Sequence, residues 1–227
     1  MEAADKVITV SDLTRNIVIT KYGIDPSKVV TVHNAVDFSG RSNVNVERGV
    51  KDKVVTFLGR ITFQKGPEYF IEAAAKVLKR CDNVRFVMAG SGDMMNRSIR
   101  QVARLGISDR FHFTGFLRGK EVQEMFALSD VYVMPSVSEP FGISPLEAMR
   151  TGVPSVISKQ SGAAEVLKYA FKVDFWDVDA MADEIYALLK YPALANFASK
   201  YGFDEVNTLK WNNAAVKIKN VYESVIK

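Results

Sequence analysis

"DVYVMPSVSEPFGISPLEAMRTGVPSVIS" (130–158) contains two short β-branched runs, and a polar loop and the start of a helix lie between them. Pro140 and Gly142 mark the loop, and Pro145 stands at a first helical position. A strand, a helix and a second strand in this order are typical of two parallel strands joined by a crossover helix. The segment therefore predicts one unit of a parallel sheet.

The same alternation extends along most of the chain. Amphipathic segments at 67–80, 121–129 and 180–190 have the apolar spacing of helices that cover a sheet. The short apolar runs predict about six strands: 54–59, 84–90, 110–115, 130–135, 153–158 and 170–175. The expected fold class is therefore α/β, a doubly wound, Rossmann-like parallel sheet that binds ligands beyond the carboxyl ends of its strands.

Composition excludes several other classes of protein. The chain has 227 residues, 48% of them hydrophobic and 25% charged, as in ordinary globular domains. Its 30 basic and 26 acidic residues are spread without a basic run, so no nucleic-acid partner is expected. One cysteine, Cys81, and two histidines leave no metal-binding pattern. The sequence shows neither a membrane-spanning run nor a secretory signal, which favours a cytoplasmic protein.

The chain is expected to divide into four parts. Residues 1–36 read as a strand, a helix opening at Ser11 and a second strand, which is too little for a core of its own, so we expect them to end an amino-terminal domain. Residues 37–52 are polar and predict a linker. Residues 53–205 form the predicted sheet domain. Residues 206–227 predict an amphipathic helix whose apolar stripe needs a partner surface or drives self-association.

Two carboxylates in the loop and helix start of the opening segment are candidate site residues. Glu139 follows a strand at the predicted ligand edge, and an ionised carboxylate there can accept bonds from several hydroxyl groups. Its alternative role is an exposed loop charge. Glu147 completes the pattern Ser144-x-x-Glu147, which also fits a capping box that only stabilises the helix. The sequence leaves both alternatives open.

Cations that could balance an anionic ligand follow the first strand of the predicted sheet domain. "GRITFQKG" (59–66) places Arg60 and Lys65 on the same carboxyl edge, where a guanidinium can bind two phosphate oxygens and an ammonium acts as a point charge. The glycine-rich turn "AGSGD" (89–93) follows the second strand of that sheet, but it lacks the spacing of a dinucleotide fingerprint.

In combination, these motifs resemble the retaining glycosyltransferases of the GT-B fold, of the group 1 or family 4 type. "GRITFQKG" is similar to that family's phosphate loop. "ALSDVYVMPSVSEPFGISPLEAMRTGVPSV" (127–156) is similar to its signature segment, with Glu139 and Glu147 as the carboxylate pair. "SDLTRNIVITKYGIDPSKVVTVHNAVD" (11–37) is similar to the end of its amino-terminal domain.

The resemblance implies the function and a role for each matching residue. The activity would be transfer of a sugar from a nucleotide-diphosphate sugar to a hydroxyl acceptor, with retention and no obligatory metal or other cofactor. Arg60 and Lys65 would neutralise the diphosphate, and Glu147 would bind the ribose. Glu139 would hold sugar hydroxyls near the reacting carbon, as the catalytic residue.

The remaining implied contacts are less specific to a side chain. The backbone of the loop and helix start would face the diphosphate and the sugar, whereas two further residues would line the pocket and border the base. These donor-binding residues are Phe141, Gly142, Ile143 and Ser144 for the backbone, Gly90 for the pocket and Leu117 for the base.

The acceptor site of the family lies in an amino-terminal domain that this sequence mostly lacks. We therefore expect the 227 residues alone to fold and to bind nucleotide weakly, without transferring sugar. The alternative is a non-catalytic nucleotide-binding or regulatory module of the same fold. The four charged residues Arg60, Lys65, Glu139 and Glu147 favour the transferase. A sugar-nucleotide epimerase of this architecture is disfavoured by the whole of "SEPFGISPLEAM".

Overall fold

The computed structural model describes residues 1–36, 46–49 and 51–226. Two parallel sheets are present among these residues, one of two strands and one of six. The strands are β1 (Val7–Thr9), β2 (Val29–Thr31), β3 (Lys53–Leu58), β4 (Val84–Ala89), β5 (Phe111–Gly115), β6 (Val131–Met134), β7 (Ser155–Ser158) and β8 (Phe171–Val173). The helices are α1 (Asp12–Tyr22), α2 (Pro67–Leu78), α3 (Met95–Arg104), α4 (Lys120–Leu128), α5 (Ser144–Arg150), α6 (Ala163–Val166), α7 (Val178–Lys190), α8 (Pro192–Val206) and α9 (Trp211–Glu223).

The six-stranded sheet has the order β5-β4-β3-β6-β7-β8, and every neighbouring pair is parallel. The predicted doubly wound α/β sheet of about six strands is therefore confirmed. The chain moves outward from β3 to β5 in one direction and then from β6 to β8 in the other. The direction reverses between β3 and β6, and a sheet of this kind holds its ligand at such a switch point.

Both faces of the sheet are covered. On one face α2 inserts Phe70, whose ring lies 5.7 Å from the rings of Phe57 and Phe86 and 5.9 Å from that of Phe111. Phe70 is completely buried. On the other face Tyr132 and residues of α5 belong to a second buried cluster. These two cores fix the sheet, so the loops at its carboxyl edge have a rigid base.

The amino-terminal residues form a small unit of their own. β1 and β2 pair in parallel, and α1 connects them. Ser11 is the N-cap of α1 as expected, and its hydroxyl accepts from the N–H of Thr14. The predicted linker at 37–52 falls largely outside the described residues, so the proposed domain boundaries stay a prediction.

The carboxyl-terminal part differs from the prediction in two respects. A helix that the sequence did not predict, α8, covers Pro192–Val206 and ends where the sheet domain was expected to end. The last helix is shorter than predicted. Its stripe residues Trp211 and Tyr222 are exposed, although Ala214 beside the stripe is buried. Self-association through this stripe stays a prediction.

Within the described part of the chain, no helix is both long and apolar enough to cross a bilayer.

Candidate functional site

The loops that follow β3 and β6 meet at the switch point. The side-chain amide of Gln64 donates to the carbonyl of Ser138 at 2.9 Å, and the N–H of Val137 donates to the carbonyl of Gln64 at 2.9 Å. These two bonds join the loop of the predicted cations to the loop of the first predicted carboxylate. Strand order therefore brings together residues that lie more than 70 positions apart in the chain.

Lys65 and Glu139 form an ion pair where the two loops meet. The side chain of Lys65 is 21% exposed and that of Glu139 is 10% exposed, so water screens the pair poorly. The pair includes the Glu139 Oε2 atom. The alternative interpretation of Glu139 as an exposed loop charge is therefore wrong: the residue is buried and has a cationic partner.

The backbone also holds Glu139 in place. Its N–H donates to the carbonyl of Gln160 at 3.0 Å, and its own carbonyl accepts from the N–H of Gly162 at 3.1 Å. The side chain of Gln160 in turn donates to Asp174 at 2.8 Å, after β8. Glu139 is thus fixed by segments that follow β7 and by a partner that follows β3.

A glycine between the 3-10 turn at Phe63–Lys65 and α2 permits this close approach. Gly66 has a left-handed φ of 64°, and a Cβ atom built on it would lie 2.1 Å from the carbonyl oxygen of Pro135. No side chain fits in that space. The loop after β3 therefore lies directly against the start of the loop after β6, next to Lys65.

Arg60 lies at the start of the same loop, and its side chain is exposed. The preceding Gly59 packs against Gly90, where a Cβ atom would lie 1.9 Å from the Gly59 carbonyl oxygen. The N–H of Gly90 donates to the carbonyl of Gly115 at 2.8 Å. Gly90 therefore holds the loops after β3, β4 and β5 together. Leu117, which follows β5, is half-buried and packs with Val54, Val87, Ala89 and Met125.

The residues between Glu139 and α5 differ in exposure. The side chain of Phe141 is buried in the core, and its carbonyl accepts from the N–H of Ala163 at 2.7 Å. Ile143 is exposed, and Gly142 has a left-handed φ of 93°. A ligand at this edge can therefore contact Gly142 and Ile143, whereas the ring of Phe141 only anchors the loop.

Glu147 lies on α5 and is exposed. Desolvation by neighbouring protein atoms raises the pKa of Glu147, and Arg150, one turn later, partly offsets this shift. A carboxyl group with a raised pKa destabilises the folded chain slightly when it is ionised.

The capping box suggested by Ser144-x-x-Glu147 does not form. Ser144 is the first residue of α5 and Ile143 precedes it as N-cap, without a side-chain capping bond. The hydroxyl of Ser144 instead accepts from the hydroxyl of Tyr132 at 2.7 Å. The capping-box interpretation of Glu147 was therefore wrong, because Ile143 and not Ser144 is the N-cap, and the N–H of Glu147 donates to the carbonyl of Ile143 at 3.1 Å.

Sequence reasoning missed the contact between the amino-terminal unit and the sheet domain. The carboxylate of Glu165 accepts from the N–H groups of Asp12 and Leu13 at 2.8 and 2.7 Å. It also lies 2.8 Å from Nε2 of His33, whose ring is 6.1 Å from that of Phe141. Glu165 therefore binds the start of α1, where a negative charge is favoured.

Asp12, His33 and Glu165 also offer one possible metal-ligand atom each, all within 4.8 Å of one another. Both oxygens of Glu165 already accept hydrogen bonds from the backbone, and Oδ1 of Asp12 accepts from Thr31 at 2.6 Å. These hydrogen bonds explain the cluster without an ion.

The strand order and the loops at its switch point define a Rossmann-like domain of the GT-B class. HepE of Anabaena, solved with UDP and glucose, superimposes with a TM-score of 0.85 at 22% identity, over 97% of this chain and 64% of that one. The C-terminal domain of a glycosyl transferase group 1 family protein from Francisella tularensis has a TM-score of 0.65 at 25% identity. That match covers 69% of this chain and 85% of the domain.

The family model for glycosyl transferases group 1 matches residues 42–205, and the model for glycosyltransferase family 4 matches residues 1–39. The chain therefore belongs to the group 1 glycosyl transferases. An uncharacterised glycosyltransferase of Methanocaldococcus jannaschii is 34% identical over 96% of this chain and 60% of its own length. The chain spans about half to two thirds of the length of the curated relatives that match nearly all of it.

Proposed function

We propose that this chain is the donor-binding part of a retaining glycosyltransferase, which transfers a sugar from a nucleotide-diphosphate sugar to a hydroxyl acceptor. The observation that carries the proposal is the Lys65–Glu139 ion pair at the switch point of the sheet. An ammonium and a carboxylate side by side suit a ligand that has a diphosphate next to sugar hydroxyls. Family membership and the UDP and glucose bound to HepE of Anabaena support the same class of ligand.

In the proposed mechanism, cations stabilise the leaving group. Negative charge builds on the diphosphate as the bond to the anomeric carbon breaks, and Arg60 and Lys65 balance that charge. Glu139 accepts from sugar hydroxyls and fixes the sugar beside the diphosphate. Glu147 accepts from the ribose hydroxyls. The proposal includes transfer without an obligatory metal, because the two cations at this edge can balance the charge of the diphosphate.

The contacts of the backbone complete the proposed donor site. Gly142, Ile143 and Ser144 present main-chain groups to the diphosphate, and Phe141 supports them from the core. Gly90 lines the pocket, and Leu117 borders the base.

A cytoplasmic location is also proposed, since the free Cys81 suits a reducing compartment.

The acceptor site is proposed to lie in an amino-terminal domain to which residues 1–36 belong. The match of residues 1–39 to a second family model supports this view, as does the greater length of the relatives. The 227 residues alone would then bind a donor nucleotide without transferring sugar. Sugar transfer by the isolated chain to any added acceptor would reject this part of the proposal.

Calorimetric titration of the chain with UDP, GDP and ADP tests donor binding. We expect one of the three to bind, and Lys65→Gln to weaken that binding at least about tenfold, the loss of roughly 1.4 kcal/mol of charge-assisted contact. Lys120→Gln is the matched control, because Lys120 pairs with Glu124 on the exposed face of α4 and its loss changes net charge equally. Equal affinities in the two variants would contradict the assignment of Lys65.

Retention is tested on a protein that includes the acceptor domain. Proton NMR of the anomeric centre should show the same configuration in the product as in the donor. A product of opposite configuration would reject the retaining mechanism and leave the donor site intact.

A further inference from the structure

Tyr132 is a fully buried tyrosine whose hydroxyl lies at the candidate site. It stands on β6, and its ring packs edge-to-face against Phe126 with the centroids 5.6 Å apart. A buried phenol needs a hydrogen-bond partner, because an unsatisfied hydroxyl costs free energy. The ring therefore packs in the core, whereas the hydroxyl contacts the start of α5, between Glu139 and Glu147 in the sequence.

The hydroxyl of Tyr132 has two acceptors within reach. Oγ of Ser144 lies 2.7 Å away and the carbonyl oxygen of Leu58 lies 3.4 Å away. The shorter contact has the ordinary length of an O–H···O bond and the longer one exceeds it, so the proton points to Ser144. Burial raises the pKa of Tyr132, the bond to Ser144 lowers it, and the charges of Glu139 and Glu147 raise it further. The phenol of Tyr132 therefore stays protonated at neutral pH and can donate.

This bond determines what Ser144 can do. A serine hydroxyl has one proton and two lone pairs, so accepting from Tyr132 leaves its own proton to be donated. At the first turn of a helix a serine side chain ordinarily accepts from the backbone, but α5 has no side-chain capping bond. Ser144 is half-buried and follows the exposed Ile143. Its O–H is thus available at the edge where the donor is proposed to bind.

We propose, on the basis of the function proposed above, that Tyr132 is a positioning residue that turns Ser144 into a hydrogen-bond donor to the diphosphate of the nucleotide sugar. A phosphate oxygen is an acceptor, and a hydroxyl that donates to an anion forms a short, strong bond. The neighbouring carboxylates of Glu139 and Glu147 cannot supply such a donor when they are ionised. Ser144 would act beside Arg60 and Lys65 as a neutral contact.

Calorimetric titration of the 227-residue chain tests this role. UDP, GDP and ADP are titrated first, and the diphosphate that binds is then compared with its nucleoside, uridine, guanosine or adenosine. Tyr132→Phe removes one hydroxyl and keeps the ring, and Ser144→Ala removes the proposed donor. We expect each to weaken diphosphate binding about tenfold and to leave nucleoside binding unchanged. Since the two hydroxyls act in series, the double variant should be no weaker than either single variant.

Two controls separate positioning from folding. Tyr169→Phe removes the hydroxyl of a half-buried tyrosine stacked on Tyr201, away from the switch point, and should leave both affinities unchanged. Ser144→Thr keeps a hydroxyl and should retain diphosphate affinity within about threefold. Near-ultraviolet circular dichroism of each variant should match that of the parent chain.

Several results would overturn the proposal. Unchanged diphosphate affinity in Tyr132→Phe would do so, as would an equal loss for the nucleoside or additive losses in the double variant. These results leave the donor site itself intact if the parent chain binds a diphosphate. If the parent chain binds none of the three diphosphates, the proposed function fails and the role of Tyr132 fails with it.

Discussion

Removal of the Glu165 carboxylate should release the start of α1 from the sheet domain. Both oxygens of this carboxylate accept N–H bonds of 2.7 to 2.8 Å from Leu13 and Asp12. The side chain of Glu165 is 23% exposed, so we assign each bond to a charged acceptor the lower end of its usual range, about 1.5 kcal/mol. Two bonds give roughly 3 kcal/mol, which is about a hundredfold change in the local opening equilibrium.

Amide hydrogen exchange of Glu165→Ala measures this change residue by residue. The amides of Asp12 and Leu13 should exchange about a hundredfold faster in the variant, whereas those of β3 to β8 should keep their rates, because the two cores are untouched. Glu205→Ala is a suitable control, since Glu205 accepts from the N–H groups of Lys168 and Tyr169 in the same manner. Unchanged exchange at Asp12 and Leu13 in Glu165→Ala would refute the reasoning.

Three further predictions concern the core and the site. Phe70→Ala should lower the free energy of unfolding by about 3–5 kcal/mol in a denaturant titration, because Phe70 is completely buried among aromatic rings. Gly90→Ala should destabilise the chain and abolish nucleotide binding in a calorimetric titration, since its Cβ would overlap the carbonyl of Gly59. Gly49→Ala, with open space around it, should do neither. Glu147→Gln should unfold at a slightly higher temperature than the parent at pH 7 while it loses nucleotide affinity. Because the folded-state pKa of Glu147 is raised, the parent gains stability as the pH falls through that pKa, and the difference between the two melting curves should vanish in acid.

The strands of the sheet were predictable because each is an apolar run bounded by turn residues. Three helices were not: α3, the four-residue α6 and α8. α3 contains three arginines and buries only Ser98 and Val102, so its sequence resembles a polar surface segment. α8 contains Gly202, which disfavours a helix on propensity alone. In the structure Gly202 faces α5, where a Cβ would lie 2.7 Å from Cε of Met149, so a larger residue there would require the flexible Met149 side chain to shift.

The candidate site was predictable to the extent that topology determines it. Strand order alone makes the loops after β3 and β6 neighbours, and this brings Lys65 to Glu139. The mistaken cap at Ser144 has a physical reason, because a local pattern of four residues does not include the competing hydroxyl of Tyr132. Likewise, Glu165 and His33 lie 132 positions apart, so their contact had no local signal.

The left-handed Gly66 has a consequence for protein engineering. Gly66 is the single residue between Lys65 and Pro67, and Phe70 anchors the first turn of α2 in the core. The position of the Lys65 ammonium relative to the sheet therefore depends on how that turn packs. Substitutions inside α2 that preserve stability but shift the helix should therefore change ligand affinity, although the substituted residues do not contact the ligand. A library intended to raise solubility or melting temperature should keep the segment from Lys65 to Phe70 fixed and vary the outer face of the helix instead.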